Sequence, residues 1–282
     1  MEKIILFGAG QIGAAVARLM GPGFEVLCFA DNNERRWGTV CENIPVRSPA
    51  EALSLLPDRV CLCAAGGERQ GQMAAQLHSL GYVGPVLTPE ALKIFDIRAG
   101  TMRLLARQIN ALGVAGDVAE LGVFRGDFAG LINGAFPHRP IHLFDTFSGF
   151  PAEDAALDAD RGYSRAEAGD FSDTAMSLVA QALPHPEMAR FHKGYFPETF
   201  SPCRDIRFAF VSIDADLYAP TAAALPIFWD RLSPGGALMI HDAISAQYTG
   251  VARAVEEFCR PRGLLPVPVC DLHGSMILRK EL

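Results

Sequence analysis

The sequence has no apolar run approaching the 18 residues that a membrane-spanning helix needs, and it has no Cys-x-x-Cys pair. Its N-terminus reaches Gly8 without the long apolar stretch and small-residue cleavage site of a signal peptide. The seven cysteines are odd in number, and most lie in apolar runs, where free thiols act as small hydrophobic side chains. These absences predict a reduced, soluble protein of the cytoplasm.

Positive charge is also scarce, since 25 Lys and Arg stand against 32 Asp and Glu and the formal net charge is -7. Such a chain lacks the positive field that attracts nucleic acid or an anionic membrane surface, so we expect neither as a partner. Half of the residues are hydrophobic, which is enough to bury a core. A length of 282 residues predicts one large domain or two smaller ones.

Short apolar runs alternate with helical patterns along most of the chain, which predicts an α/β fold with parallel sheets. The alternation restarts at Asp117, after a connecting helix predicted over residues 99–113. We therefore predict two Rossmann-like domains, residues 1–95 and residues 96–282. An acidic stretch at 151–173 shows little apolar periodicity and is predicted to be a loop or lid.

The first glycine-rich motif is Gly8-x-Gly10-x-x-Gly13, between a predicted strand and a predicted helix. Its glycines let the backbone approach a pyrophosphate, and Asp31, eighteen residues after Gly13, is suited to accept from ribose hydroxyls. The motif predicts binding of NAD or a nucleotide sugar, and the segment resembles the small N-terminal nucleotide-binding domains attached to sugar-modifying enzymes. The same residues equally fit a tight connection and an ordinary turn in a domain without ligand.

A second motif, Glu120-Leu121-Gly122 with Gly126, also follows a predicted strand and precedes a predicted helix. Asp145 ends the next strand. A sulfonium cofactor has no pyrophosphate, so a wider turn with an acid at its start suits it better than a dinucleotide loop does. Glu120 would face the positively charged methionyl group and Asp145 the ribose. Alternatively, Glu120 caps a loop and Asp145 begins a turn.

Further acidic residues follow two later predicted strands: Asp214 and Asp216 after one, and His241-Asp242 after the other. Because sites gather at the carboxyl ends of strands in open α/β sheets, we expect these side chains to lie together. Clustered carboxylates repel unless they share a proton or a cation, and several hard oxygen ligands suit Mg²⁺. Helix caps and a turn acid are the alternative interpretation.

Several segments in a fixed order carry a family resemblance. They are residues 119–129, 143–151, 171–174, 193–199, 214–221 and 232–236. Together they resemble the macrocin O-methyltransferase family of class I S-adenosylmethionine-dependent enzymes over about residues 100–282. The resemblance implies a class I methyltransferase sheet with helices on both faces. It also implies methyl transfer to a hydroxyl of a small-molecule sugar or glycoside, with Mg²⁺, and favours a homo-oligomer.

The resemblance also implies roles for particular residues. The cofactor-binding residues it implies are Glu120, Gly122, Gly126, Asp145 and Asp173. Asp214 and Asp242 fall at metal positions and Asp216 at the position of a base. Many members have two aspartates where this chain has His241-Asp242, so His241 either binds the metal, shifting preference toward Mn²⁺, or accepts a proton.

Among the remaining histidines, His273 lies before the last predicted strand and is a further candidate catalytic residue. We expect His138, His142, His185 and His192 to be surface or strand-edge residues.

Two other functions stay open. The N-terminal motif permits an NAD-dependent sugar dehydrogenase or epimerase, although the chain has no Tyr-x-x-x-Lys pair, the usual short-chain catalytic couple. A nucleotide-sensing protein with an inactive methyltransferase domain is the other. Titration with S-adenosylmethionine and with NAD distinguishes all three.

Overall fold

The computed structural model describes residues 2–20, 23–64, 66–93, 96–271 and 273–282. The chain divides into two compact units, Met1–Arg103 and Leu104–Leu282, called here the N-terminal unit and the C-terminal unit. Each unit contains one sheet, made mostly of parallel strands that alternate with helices, so the predicted α/β class is confirmed. None of the helices in the described ranges has both the length and the apolar character needed to cross a membrane.

The N-terminal unit has the strand order β3-β4-β2-β1-β5-β6, and its pairs are parallel except for β3 with β4. Its elements are β1 (Glu2–Phe7), α1 (Gln11–Leu19), β2 (Phe24–Ala30), β3 (Val40–Cys41), β4 (Ile44–Arg47), α2 (Pro49–Leu53), β5 (Arg59–Leu62), α3 (Gly67–Ser79) and β6 (Val86–Leu87). The last four residues of β1 are buried, because a central parallel strand is covered on both faces.

The C-terminal unit has the strand order β12-β13-β11-β10-β7-β8-β9, and β13 is antiparallel to both of its neighbours. The remaining elements, beginning with the helix that contains the boundary between the units, are α4 (Ile97–Ala111), β7 (Asp117–Leu121), α5 (Asp127–Ala135), β8 (Ile141–Asp145), α6 (Ala152–Asp160), α7 (Met176–Ala182), β9 (Ala189–Lys193), β10 (Phe208–Ile213), α8 (Tyr218–Arg231), β11 (Leu232–Ile240), α9 (Thr249–Cys259), β12 (Val267–Pro268) and β13 (Met276–Arg279). The parallel strands β7, β8, β10 and β11 therefore all end at the same edge.

A group of buried phenylalanines fixes the strands that lead to this edge. The Phe228 ring of α8 lies 5.5 Å from the rings of Phe196, Phe200 and Phe208, and 5.8 Å from that of Phe144. Burying one such side chain contributes about 1.5–3 kcal/mol, so the group is a large part of the local core. It holds α8 against β8 and β10.

The acidic stretch at 151–173 contains helix α6, where the sequence predicted a loop or lid. Two of its buried side chains, one turn apart, are acidic: Asp154 accepts from the Tyr195 hydroxyl at 2.9 Å, and Asp158 from the Tyr218 N–H at 3.2 Å. Because carboxylates occupy inner positions that are usually apolar, the sequence has no apolar stripe to mark this helix. We call residues 151–173 the lid segment below.

Residues 233–236 read Ser-Pro-Gly-Gly, a sequence typical of a turn, but they lie inside β11. Phe208 of β10 pairs with Leu232 and Phe210 with Ala237, so the intervening residues are accommodated as a bulge. Gly235, with a φ of +78°, supplies the left-handed conformation that the bulge requires.

Candidate active site

The loop between β7 and α5 begins and ends with a glycine in the left-handed region, Gly122 at φ +82° and Gly126 at φ +87°. A Cβ atom on Gly122 would lie 1.9 Å from the carbonyl oxygen of Asp214. The carboxyl ends of β7 and β10 therefore approach this closely only because residue 122 has no side chain. The loop of the second sequence motif and the acids after β10 are immediate neighbours.

Asp145, at the end of β8, shapes this loop. Its Oδ2 accepts from the backbone N–H groups of Val123 at 2.8 Å and Phe124 at 2.9 Å, and its Oδ1 accepts from that of Phe147 at 2.7 Å. A carboxylate oxygen accepts about two hydrogen bonds, so Oδ1 retains capacity for another donor. The bond from Phe147 fits the turn that the sequence allowed at Asp145, whereas the bonds from Val123 and Phe124 were not predicted. Contact of Asp145 with a ribose stays a prediction.

Glu120 lies one residue before the end of β7 and is 1% exposed. In the sheet it is flanked by Ser212 on β10 and Leu143 on β8. A carboxylate at this depth is costly unless positively charged or hydrogen-bonding groups face it. Its negative charge lies beside the loop, where it would attract a cationic ligand group.

The lid segment contacts the loop through Asp173 and Phe171. The carboxylate and the carbonyl oxygen of Asp173 accept from the Arg125 guanidinium, and the Phe171 ring lies 5.2 Å from that of Phe124 and 5.1 Å from that of Phe150. The structure thus places Asp173 at the loop. Sequence reasoning missed Arg125 and Phe171 because a single arginine or phenylalanine carries no spacing signal.

The acids after β10 and β11 lie together. His241 Nδ1 is 2.9 Å from Asp214 Oδ1 and 2.8 Å from Asp242 Oδ2, and one potential ligand atom of each residue lies within 4.8 Å of the others. His273 Nδ1 is 3.3 Å from Asp242 Oδ1. Two carboxylates and one imidazole at these distances form a donor set suitable for a divalent cation.

Asp216 and Asp242 both have left-handed backbones, at φ +58° and φ +54°, and such strain in non-glycine residues concentrates at functional sites. Burial, together with the carboxylates of Asp214 and Asp242, raises the pKa of Asp216 well above its usual range. Burial alone would also raise the pKa of Asp242, but the hydrogen bond and charge of His241 outweigh it and lower that pKa. The pKa values of these two neighbouring acids are therefore shifted in opposite directions.

Tyr248, immediately before α9, is a further residue of this cluster. Burial and then the carboxylates of Asp216 and Asp242 raise the pKa of its hydroxyl to about 12. The hydroxyl accepts from the Gln247 side chain at 3.0 Å. A protonated tyrosine here is a hydrogen-bond donor, and no motif in the sequence pointed to it.

In the N-terminal unit the glycine motif also forms a tight loop. Gly8 has a φ of +111°, and a Cβ atom on Gly13 would lie 1.9 Å from the Gly8 carbonyl oxygen. A Cβ on Gly10 would meet nothing within 4 Å. The glycines at positions 8 and 13 are therefore required by the connection between β1 and α1 itself, whether or not a nucleotide binds.

Asp31 holds this loop as Asp145 holds the other. Its Oδ2 accepts from the Ala9 N–H and its Oδ1 from the Asn33 N–H, both at 2.8 Å. Its carbonyl oxygen accepts from Trp37 Nε1 at 2.7 Å, and the Arg36 guanidinium donates to the Ala9 carbonyl. These bonds fit the turn that the sequence allowed, while contact with a ribose stays a prediction.

A family model described as Macrocin-O-methyltransferase (TylF) matches residues 92–277, more than half of the chain. The chain belongs to the macrocin O-methyltransferase family. The match covers both the loop at 122–126 and the acidic cluster after β10 and β11.

Two named O-methyltransferases are similar in sequence to this chain. Mycinamicin III 3''-O-methyltransferase of Micromonospora griseorubida is 32% identical over 142 residues, which are 46% of this chain and 56% of that protein. The 8-demethyl-8-(2,3-dimethoxy-alpha-L-rhamnosyl)-tetracenomycin-C 4'-O-methyltransferase of Streptomyces olivaceus is 28% identical over 189 residues, 63% of this chain and 70% of that protein. The matched part thus spans little more than half of the mycinamicin enzyme.

Two solved structures share the fold. The O-methyltransferase NovP superimposes with a TM-score of 0.53 and 20% identity, covering 66% of this chain and 80% of that one. The calicheamicin methyltransferase CalS11 superimposes with a TM-score of 0.56 and 20% identity, covering 76% of this chain and 87% of that one. The C-terminal unit is therefore a class I methyltransferase fold.

Proposed function

We propose that this chain is an O-methyltransferase that transfers a methyl group from S-adenosylmethionine to a hydroxyl of a sugar or glycoside. One observation carries the proposal: the loop that begins at Gly122 and the acids that begin at Asp214 approach so closely that a Cβ would not fit between them. Methyl transfer requires the cofactor and the acceptor hydroxyl to be held side by side, since positioning supplies most of the rate. The named activities of the two curated relatives support the same reaction class.

We assign the cofactor to the loop at 122–126, with Glu120 facing the sulfonium end and Asp145 the ribose. The buried carboxylate of Glu120 fits a positive group, and Oδ1 of Asp145 has capacity for a hydroxyl donor. Asp173 would act indirectly by holding Arg125, which is a residue of this loop, in place. S-adenosylmethionine, when bound, supplies an electrophilic methyl group.

We assign a divalent cation to Asp214, His241 and Asp242, whose donor atoms already converge. Such a cation, when bound, lowers the pKa of a coordinated hydroxyl. The imidazole makes the donor set suitable for Mn²⁺ as well as Mg²⁺.

The remaining residues position the acceptor and move its proton. In this proposal Asp216 accepts the proton of the acceptor hydroxyl, and His273 beside Asp242 is the alternative acceptor. The Tyr248 hydroxyl donates to an acceptor oxygen. The lid segment, which lies against the loop through Phe171, excludes water and selects the acceptor.

Asp242→Asn tests the assignment of the cation. We expect methyl transfer to fall at least 100-fold with unchanged affinity for S-adenosylmethionine in calorimetry, and a chelator should stop the wild-type reaction until Mg²⁺ or Mn²⁺ returns it. If turnover is complete in the presence of chelator, or if Asp242→Asn hardly changes the rate, then a base that needs no metal, His241 or His273, accepts the proton.

For the N-terminal unit we propose binding of a nucleotide, either NAD or the nucleotide part of a sugar substrate. The left-handed Gly8 and the Asp31 carboxylate beside the loop support it. Calorimetry with S-adenosylmethionine, NAD and a nucleotide sugar separates the candidates. Binding of NAD without S-adenosylmethionine would favour a dehydrogenase or a sensor over a methyltransferase.

A further inference from the structure

A second group of possible metal ligands lies away from the candidate active site. His142 is the second residue of β8, His192 the fourth of β9, and Cys203 ends the short 3-10 helix Glu198–Cys203. Cys203 is fully buried and His142 is 5% exposed. The predicted surface or strand-edge position is wrong for His142, because β8 has a partner strand on each side.

The distances among the three side chains are close to those of a metal site. His142 Nδ1 lies 2.9 Å from His192 Nε2, and Cys203 Sγ lies 3.3 Å from the first nitrogen and 3.5 Å from the second. Tetrahedral Zn²⁺ with bonds of about 2.0 Å to nitrogen and about 2.3 Å to sulfur separates two nitrogens by about 3.3 Å and nitrogen from sulfur by about 3.5 Å. The sulfur distances already agree, and the nitrogens need to separate by about 0.4 Å.

A hydrogen bond from the His192 N–H to His142 Nδ1 accounts for the 2.9 Å between those atoms, but it leaves the Cys203 thiol without an acceptor within the group. His142 Nε2 lies 3.0 Å from Asp117 Oδ2, so it carries the proton and Nδ1 presents a lone pair. That single lone pair cannot accept well from both His192 N–H and Cys203 S–H. If His192 instead presents its own lone pair, two lone pairs face each other across 2.9 Å. A cation at the centre accepts from all three atoms and removes the conflict.

The surroundings are those of a ligand held in place. A metal-binding histidine usually donates its other N–H to a carboxylate, and Asp117 is in that position toward His142. The His192 ring is stacked on Phe144 with centroids 4.4 Å apart, which fixes its orientation. Both imidazoles are thus oriented toward the Cys203 sulfur before any metal binds.

We propose that His142, His192 and Cys203 bind one Zn²⁺, with Asp117 orienting His142 as a positioning residue. Binding replaces the thiol proton, so a sulfur–zinc bond forms and one H⁺ goes to solvent. Imidazole and thiolate donors suit Zn²⁺, whereas Mg²⁺ takes oxygen donors, so this site differs in class from the cluster of Asp214 and Asp242. Because β9 is the terminal strand of the sheet, the metal would fasten that strand to β8.

Cobalt substitution of the full-length protein tests the proposal. Co²⁺ bound by a thiolate has a near-ultraviolet charge-transfer band, and the cluster of Asp214, His241 and Asp242 contains no sulfur. We expect the protein as isolated to retain one zinc per chain and the metal-stripped protein to develop the band with one equivalent of Co²⁺. Cys203→Ser should abolish the band. Cys259→Ser, which removes another buried thiol, should keep it.

If Cys203→Ser fails to fold, the presence or absence of the cobalt band in the wild type still tests the site. His192→Gln, at a half-buried position, is a second variant that lacks one ligand. Asp117→Asn should weaken metal affinity by roughly 10–100-fold without removing the band. No band in the wild type, or a band that survives in folded Cys203→Ser, overturns the site. Copper in place of zinc in the isolated protein overturns the metal assignment.

Discussion

The two units form the same local structure with different side chains around it. In each, the first central strand leads into a glycine with positive φ, Gly8 or Gly122, and its N–H donates to the end of the neighbouring strand. In each, an aspartate accepts from the loop backbone: Asp31 directly after that neighbouring strand, and Asp145 as its last residue. The position one residue before the strand end, however, is Leu6 in the N-terminal unit and Glu120 in the C-terminal unit.

The strands that pair with the other side of β1 and β7 are β5 and β10, and the residues that follow them also differ in charge. β5 runs into Cys63 and Ala64, whereas β10 runs into Asp214 and Asp216. Backbone geometry of this type is therefore a property of the βαβ connection, and chemistry depends on which side chains the strand ends carry. Variants at matched positions of the two units can test whether backbone geometry and side-chain chemistry are separate in this way.

The largest effect should come from the tightest glycines. Gly122→Ala places a Cβ against the Asp214 carbonyl, and we expect loss of affinity for S-adenosylmethionine of at least roughly 100-fold, since overpacking of this degree moves backbone. Gly13→Ala creates the same close contact in the N-terminal unit and should spare that affinity. Gly10→Ala places its Cβ in open space and should leave both units unchanged. If calorimetry finds that Gly13→Ala lowers the affinity for S-adenosylmethionine as much as Gly122→Ala does, the two loops do not have separate roles.

The next effect concerns the two aspartates. Asp145→Ala removes the acceptor of three backbone N–H groups and should cost about 2–4 kcal/mol of unfolding free energy, with a tenfold or greater loss of affinity for S-adenosylmethionine. Asp31→Ala removes the acceptor of two and should cost less, leaving that affinity within about twofold. Urea unfolding and calorimetry measure both. Equal affinity losses would contradict the comparison.

A smaller effect is expected where the C-terminal unit has its imidazole. His241→Asp restores two adjacent carboxylates, which favours a hard cation, so the ratio of activity with Mg²⁺ to activity with Mn²⁺ should rise a few-fold. Initial rates at saturating metal measure the ratio. An unchanged ratio would mean that His241 does not touch the metal.

The smallest effect lies in the lid segment, which follows Asp145 where the N-terminal unit has its β3–β4 hairpin. Burial raises the pKa of Asp158 above the ordinary 3.8, so the folded state keeps a proton that the unfolded state releases. Stability should therefore fall as the pH rises from about 3.8 through the raised pKa. Asp158→Asn should remove that fall and add about 1 kcal/mol at neutral pH, or roughly 2–4 °C in thermal unfolding, with no gain at pH 3.

Asp160→Asn is the control, because Asp160 is exposed on the same helix. It should change the unfolding temperature little at any pH. A gain at neutral pH that is equal in both variants would indicate a general charge effect and not the buried carboxyl.

The predictions from sequence were most accurate for elements covered on both faces. A run that is apolar except for Glu25 coincides with β2, an almost wholly apolar run coincides with β10, and Gly126 immediately precedes α5, so the sequence marks these elements clearly. The β3–β4 hairpin was missed: its turn is Glu42-Asn43, both with positive φ, and not the Asn-Gly pair that signals such turns. Helix α6 was missed because its inner side carries carboxylates.

The main correct prediction for the site came from the topology of the sheet. Acids at strand ends were predicted to meet because parallel strands end at one edge, and Asp214, His241 and Asp242 do lie together. The bonds from Asp145 to the loop could not be predicted, since they depend on the exact course of the backbone. The group of His142, His192 and Cys203 comes from three separate elements, and no spacing in the chain connects them.

The hydrogen bond from Trp37 to the Asp31 carbonyl has a spectroscopic consequence. The sequence has two tryptophans, and the other, Trp229, lies in the C-terminal unit, 6.2 Å from the Phe258 ring. Tryptophan fluorescence therefore contains one emitter per unit. With Trp229→Phe, tryptophan emission comes from an indole that donates to the backbone carbonyl of Asp31, whose carboxylate accepts from the glycine loop, so occupation of that loop becomes an optical signal that requires no turnover.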